Sequence, residues 1–87
     1  MNNLIFALVA WDEYLYWQMQ DKKTLRRINQ LLRDIQRNSF DGIGKPEPLK
    51  HYDNCWSRRI DDKNRLVYAV NADNDIVIMS CKGHYED

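Results

Sequence analysis

A carboxylate, an imidazole and several guanidinium groups gather in the second half of an 87-residue chain. Lys45, Glu47 and Lys50 lie in a proline-stiffened stretch, Arg58 and Arg59 stand side by side, Arg65 follows a polar turn, and His84-Tyr85 comes near the end. Cleaving RNA without a metal needs such a set. The ribose 2′-hydroxyl must lose a proton, charge on the pentavalent phosphorane must be neutralised, and the departing 5′-oxygen must gain a proton. Glu suits the first task, Arg the second and His the third. The same residue types also serve as ordinary surface, as a solvated imidazole or as exposed ion pairs, and composition alone does not choose between the two. Motifs for other chemistry are missing: HExxH, paired CxxC, a glycine-rich phosphate loop before Lys-Ser or Lys-Thr, and Gly-x-Ser-x-Gly. Neither a metal site nor a cofactor is expected.

Thirteen basic and thirteen acidic residues cancel, so bulk charge announces no polyanionic partner. Their distribution is uneven. Residues 1–21 carry only Asp12, Glu13 and Asp21, residues 22–65 carry twelve bases against six acids, and residues 66–87 carry four acids against Lys82. Lys22, Lys23, Arg26 and Arg27 open a helical segment, beside a partially positive helix N-terminus where each cation forfeits about 0.3–1 kcal/mol of dipole complementarity. They read either as a solvated face or, with Arg33 and Arg37 further along, as an electrostatic footprint for a polyanion.

The elements that must position these groups follow from periodicity. The first half of the apolar run Leu4–Trp11 reads as a strand, and Trp11, Tyr14, Leu15 and Met19 recur at helical spacing in a helix over about residues 8–20, with Tyr16 and Trp17 off its stripe. From Lys22 to Asn38, Leu25, Ile28, Leu31, Leu32 and Ile35 follow a 3.6-residue period, with Asp21 as N-cap. The stretch Asp41–Pro48 holds two of three glycines and both prolines and is expected as a loop. Trp56–Ile60, Arg65–Val70 and Ile76–Cys81 are short β-rich runs between polar turns. Strand, helix, helix and three strands predict an α+β fold, with an antiparallel sheet and both N-terminal-half helices on one face. Residues alternate across a strand, so Arg58 and Arg59 point to opposite sides, and Arg65 lies away from Leu66 and Tyr68.

At 10.5 kDa the chain is expected to form one domain spanning residues 1–87, with stability of roughly 5–9 kcal/mol. Cys55 and Cys81 allow at most one bridge and read as reduced packing residues of a cytoplasmic protein. The Leu4–Trp11 run is far short of the roughly 20 residues that span a bilayer, so no membrane association is expected.

The stretches Trp11-Asp12-Glu13-Tyr14-Leu15-Tyr16-Trp17, Ile28-Asn29-Gln30-Leu31-Leu32, Gly42-Ile43-Gly44-Lys45-Pro46-Glu47-Pro48-Leu49-Lys50, Trp56-Ser57-Arg58-Arg59-Ile60, Arg65-Leu66-Val67-Tyr68 and His84-Tyr85 resemble the YoeB/Txe toxins of bacterial type II toxin–antitoxin systems. The resemblance runs through nearly the whole chain. It implies a microbial-ribonuclease-like (RelE-like) fold and a bacterial cytoplasmic toxin that cleaves mRNA in the ribosomal decoding site. It also implies neutralisation by a YefM/Axe-type antitoxin and operator DNA contacted through that complex; homodimerisation is left open. Residue by residue it implies Glu47 as general base, Arg65 as phosphate-stabilising group and His84 as general acid. Tyr85 would orient the substrate, and Lys50 and Arg59 would support the scissile phosphate. It makes Trp56, Leu66 and Tyr68 core. Three departures stand out. Ala7 replaces a Ser or Thr, which should deprive the first helix of a side-chain cap. Gly83 replaces a bulkier residue, which should loosen the segment holding His84. Glu86 and Asp87 continue past the tyrosine and should repel phosphate. An alternative is therefore a catalytically weakened homologue acting mainly as a corepressor with its antitoxin.

Overall fold

The most regular segment is also the best capped. Asp21 Oδ1 accepts hydrogen bonds from the Lys23 and Thr24 amides at 3.1 and 3.2 Å, and the bond from the Thr24 hydroxyl, then these amide bonds, hold its carboxyl below the usual carboxylate range. From this cap helix α2 runs over Lys22–Arg37 and buries Ile28, Leu31, Leu32 and Ile35. Helix α1 precedes it over Leu8–Gln20, entered through Ala7 in extended conformation with no side-chain cap, as the sequence predicts. The computed structural model describes residues 2–84; the expectations for Tyr85, Glu86 and Asp87 lie outside the described residues.

The α1 stripe differs from the one expected. Ala10 is buried and Tyr14 and Trp17 pack against the core, whereas Trp11, Leu15 and Met19 face outward, Met19 at 81% exposure. The reason is composition: α1 is apolar on nearly every side, so several stripes fit a helical period and tertiary contact selects one.

Five strands form one sheet in the order β1-β5-β4-β3-β2: β1 Leu4–Phe6, β2 Glu47–Pro48, β3 Cys55–Arg59, β4 Arg65–Val70 and β5 Ile76–Ser80. The α+β arrangement with both helices on one face is as expected, with two corrections. First, the sheet is mixed, because β1 pairs with β5 in parallel, Leu4 opposite Ile76; the chain between them crosses through both helices to β2 at the far edge and returns through β3 and β4, a connection ample for parallel pairing. Second, the end of the presumed loop is strand: Glu47 and Pro48 pair with Ser57 and Trp56. Pro48 is tolerated there because β2 is an edge.

Alternation assigns the faces. Leu66, Tyr68, Ile76 and Ile78 point into the helices and form the core with α2, while Trp56 is half-buried against it. The opposite face, which no helix among the described residues covers, carries Glu47, Ser57, Arg59, Arg65 and the buried Val67, since directly paired residues project to the same side. A β-bulge at Val67/Tyr68 lets Ser80 pair with Val67 and redirects the chain beyond β5. No helix among the described residues is long and apolar enough to cross a membrane.

Candidate active site on the open sheet face

The register gathers three of the sequence-selected residues. Glu47, Ser57 and Val67 form one transverse row across β2, β3 and β4, and Arg59 pairs with Arg65 two residues along. With strands about 4.8 Å apart and about 3.4 Å per residue, the Glu47 and Arg65 Cα atoms stand roughly 12 Å from one another. That gap is one long side chains reach across from both ends, with Arg59 between them. Glu47 and Arg59 are exposed and Arg65 is half-buried. Arg65 Nη1 donates to the Asp61 and Asn64 carbonyls of the preceding turn, which fixes where its charge sits. That turn is in turn organised by Asp61. Burial pushes its carboxyl up, but hydrogen bonds from Lys63 and Asn64 outweigh this and hold it below the usual range.

His84 reaches the same edge through Gly83. The Gly83 amide donates to Asn64 Oδ1 at 2.8 Å, and its carbonyl accepts from the Arg65 amide at 2.9 Å. Its φ of +89° is the left-handed region where a Cβ is strained. Gly83 was expected to loosen the segment; instead it is the residue type that lets the chain turn while both of its backbone groups stay bonded beside Arg65. His84, the next residue, is exposed. Lys50 lies in the exposed turn between β2 and β3.

Arg58 was not singled out for any role, yet it organises the loop that delivers Glu47. It is fully buried on the helix-facing side. Its Nε donates to the Tyr68 hydroxyl at 3.2 Å, Nη1 to Asp34 Oδ2 at 2.5 Å and to the Ile43 carbonyl at 3.2 Å, and Nη2 to the Asn38 and Asp41 carbonyls at 2.7 and 3.0 Å. Tyr68 donates its hydroxyl to the Ser39 carbonyl at 2.6 Å, and burial raises its phenol above the usual value. Asp34 also accepts from the Ile43 amide; that bond, then the Arg58 guanidinium, holds its carboxyl below the usual carboxylate range. A buried arginine is tolerated because its donors meet fixed acceptors. Gly42 is required here, since at φ +129° its Cβ would fall 1.9 Å from Asp34 Oδ2. The sequence held a signal for Arg58: it alternates with Trp56 and Ile60, both on the core side.

The basic residues of α2 divide. Lys23, Arg26 and Arg27 line a cleft of about 700 Å³ with Asp21, Gln30 and Asp61, adjoining the turn that holds Arg65. Arg27 is half-buried and donates to the Arg59 carbonyl at 3.4 Å. Arg33 instead borders a separate groove beside Leu4, Phe6 and Tyr14, and Arg37, largely exposed, pairs with Asp34 at 3.0 Å. Both cysteines are free thiols; burial pushes the Cys81 thiol up to about 12, which leaves it protonated and unreactive.

A family model described as "YoeB-like toxin of bacterial type II toxin-antitoxin system" matches residues 6–85. Toxin YoeB of Escherichia coli strain K12 is 51% identical over 83 residues, covering 94% of this chain and 98% of that protein. Among solved structures, the YoeB dimer from Staphylococcus aureus superposes with a TM-score of 0.89 at 49% identity, covering 97% of this chain and 98% of that one. The toxin in the heterotetrameric YoeB-YefM complex from the same organism superposes at 0.86 with 48% identity, covering 98% and 99%.

Proposed function

The chain belongs to the YoeB-like toxins of bacterial type II toxin–antitoxin systems, and from that premise we propose that it is an endoribonuclease acting on mRNA in the ribosome. The observation that carries this reading is the convergence of Glu47, Arg59 and Arg65 on one open sheet face, with Gly83 bonded beside Arg65 so that His84 emerges at the same edge. On this reading Glu47 takes the proton of the ribose 2′-hydroxyl, whose oxygen attacks the adjacent phosphorus. Arg65, supported by Arg59 and Lys50, neutralises the phosphorane, and His84 protonates the 5′-oxygen as its bond to phosphorus breaks. Tyr85 orients the substrate. The products are a 2′,3′-cyclic phosphate and a 5′-hydroxyl. All the groups come from the chain itself, so the reaction calls for no metal or cofactor.

The partners follow the same premise. One S. aureus relative is a dimer and another is in a complex with YefM, and a YefM/Axe-type antitoxin is proposed here, with operator DNA bound through that complex in the bacterial cytoplasm. The outward face of α1 supports a protein partner: Leu8, Val9, Trp11, Leu15, Tyr16 and Met19 are exposed together, Leu8 at 77%. The corepressor alternative rested partly on Gly83 weakening the site; the two backbone bonds of Gly83 beside Arg65 favour the enzyme reading instead. Primer extension on programmed ribosomes tests the enzyme directly, with naked mRNA as control. Cleavage confined to the ribosome-bound message supports it, whereas an intact message together with unimpaired growth on induced expression would return the chain to the corepressor reading.

Ribosome affinity supplies a further prediction. Reversing charge at the exposed Lys22, Lys23 and Arg26 should weaken binding and flatten its salt dependence, because fewer counterions are released. Arg27 is left unchanged for its contact with Arg59. The first turn of α2 holds no acid, so the reversed charges complement the helix dipole and thermal stability should hold or rise slightly. Salt-titrated binding to purified ribosomes checks this; identical slopes would return these residues to a solvated face.

A further inference from the structure

Cys81 stands one residue past the end of β5 and is completely buried, so its amide and carbonyl have left the strand ladder without reaching water. Such groups need partners. Both come from side chains of α1. Glu13 Oε1 accepts from the Cys81 amide at 2.8 Å, and Trp17 Nε1 donates to the Cys81 carbonyl at 2.8 Å. Residues 13 and 17 are one helical turn apart and share a face. The next residue is held by the same helix, with Lys82 Nζ 4.7 Å from the centre of the Tyr16 ring. Gly83 is then bonded on its other side by Asn64 and Arg65. Residues 81, 82 and 83 are thus fastened in succession, and His84 is the first residue after them.

We infer that Glu13 and Trp17 are positioning residues for His84: by gripping both backbone groups of Cys81 they set the direction in which the chain leaves β5 and so where the imidazole meets the leaving oxygen. The inference rests on the proposed role of His84 as general acid. Apolar packing alone would bury Cys81 equally well but would not fix the rotation of its peptide groups. Hydrogen bonds of both senses do. Neither side chain is placed to touch substrate; each acts through the path of residues 81–83.

The test uses ribosome-bound mRNA carrying either the natural oxygen or a bridging sulfur at the scissile 5′ position, since a thiolate leaves without needing a proton. Glu13→Leu removes the acceptor, Trp17→Phe removes the donor, and Glu13→Gln keeps an acceptor oxygen and serves as rescue. On the oxygen substrate Glu13→Leu and Trp17→Phe should each slow single-turnover cleavage by about 10-fold or more, within the range a general acid supplies, with Glu13→Gln close to wild type. On the sulfur substrate both losses should largely vanish, as they should for His84→Gln. If Glu13→Leu proves too unstable to assay, Trp17→Phe and the exchange rate of the Cys81 amide carry the test. Losses equal on both substrates, or no loss on either, would overturn the positioning role while recovery of His84→Gln leaves the general acid standing. Failure of sulfur to restore His84→Gln would overturn the general-acid assignment and this inference with it.

Discussion

Glu47→Gln, Arg65→Ala and His84→Gln are each expected to lower single-turnover cleavage of ribosome-bound mRNA by about 10²-fold or more, while the thermal unfolding midpoint stays close to wild type. The size follows from the task. A positioned acid or base contributes roughly 10²–10⁴-fold, and one preorganised charge at a developing oxyanion a similar factor. The small effect on folding follows from location. Glu47 and His84 are exposed, and substitutions of exposed side chains outside special features usually change stability by no more than about 0.5 kcal/mol. Arg65 does bond two turn carbonyls, but the turn is at the surface and water can replace the guanidinium there. Measured together, rate and melting temperature separate chemistry from folding. Full activity in the Glu47 and His84 variants would remove the mechanism.

The second large effect is expected away from the reacting groups. Asp34→Ala should destabilise the fold by about 3–5 kcal/mol, because it strands the buried Arg58 charge. Against a total of roughly 5–9 kcal/mol, that leaves a protein close to unfolding. The double variant Asp34→Leu/Arg58→Met should recover much of the loss, since replacing both members of a buried pair removes the uncompensated charge. It should not recover activity, because the carbonyls of Asn38, Asp41 and Ile43 lose the donor that shapes the loop before Glu47. The pH dependence has a fixed sign. Hydrogen bonding from Ile43, then Arg58, lowers the Asp34 carboxyl below its ordinary 3.8. Its stabilisation is therefore fully present above that value and is lost as pH falls through the lowered one. The difference in melting temperature between wild type and Asp34→Asn should shrink on acidification into that range; a difference that widens would contradict the pairing.

Much of this was legible in the sequence, for identifiable reasons. The period of Ile28, Leu31, Leu32 and Ile35 has one solution, and α2 adopts it. Strand alternation correctly sent Arg65 to the face away from Leu66 and Tyr68 and put Arg58 and Arg59 on opposite faces. Helix α1 was located but, apart from Tyr14, its buried stripe was misplaced, because Trp11, Leu15 and Met19 fit a helical period as well as Ala10 and Trp17 do, and contacts with α2, β1 and β5 decide between them. The parallel pairing of β1 was hidden, since a three-residue strand carries no sign of its neighbour's direction. Arg58 was named among the cations and placed opposite Arg59, but its structural role was missed because an arginine beside an arginine reads as surface. Its burial depends on Asp34 and three loop carbonyls that sequence separation conceals. Gly83 was read by its lost side chain, when its positive φ and its bonds to Asn64 and Arg65 are what matter.

The most direct test of the central claim is the chemistry of the ends it leaves. Programmed ribosomes would be incubated with the protein, the cleaved mRNA recovered, and both termini identified by mass spectrometry. The assay would then be repeated in excess chelator under conditions that keep the ribosomes intact. An upstream fragment ending in a 2′,3′-cyclic phosphate and a downstream fragment beginning with a 5′-hydroxyl, formed at the same rate with chelator present, is the predicted result. A 3′-hydroxyl with a 5′-phosphate, or cleavage abolished by chelator, would contradict it.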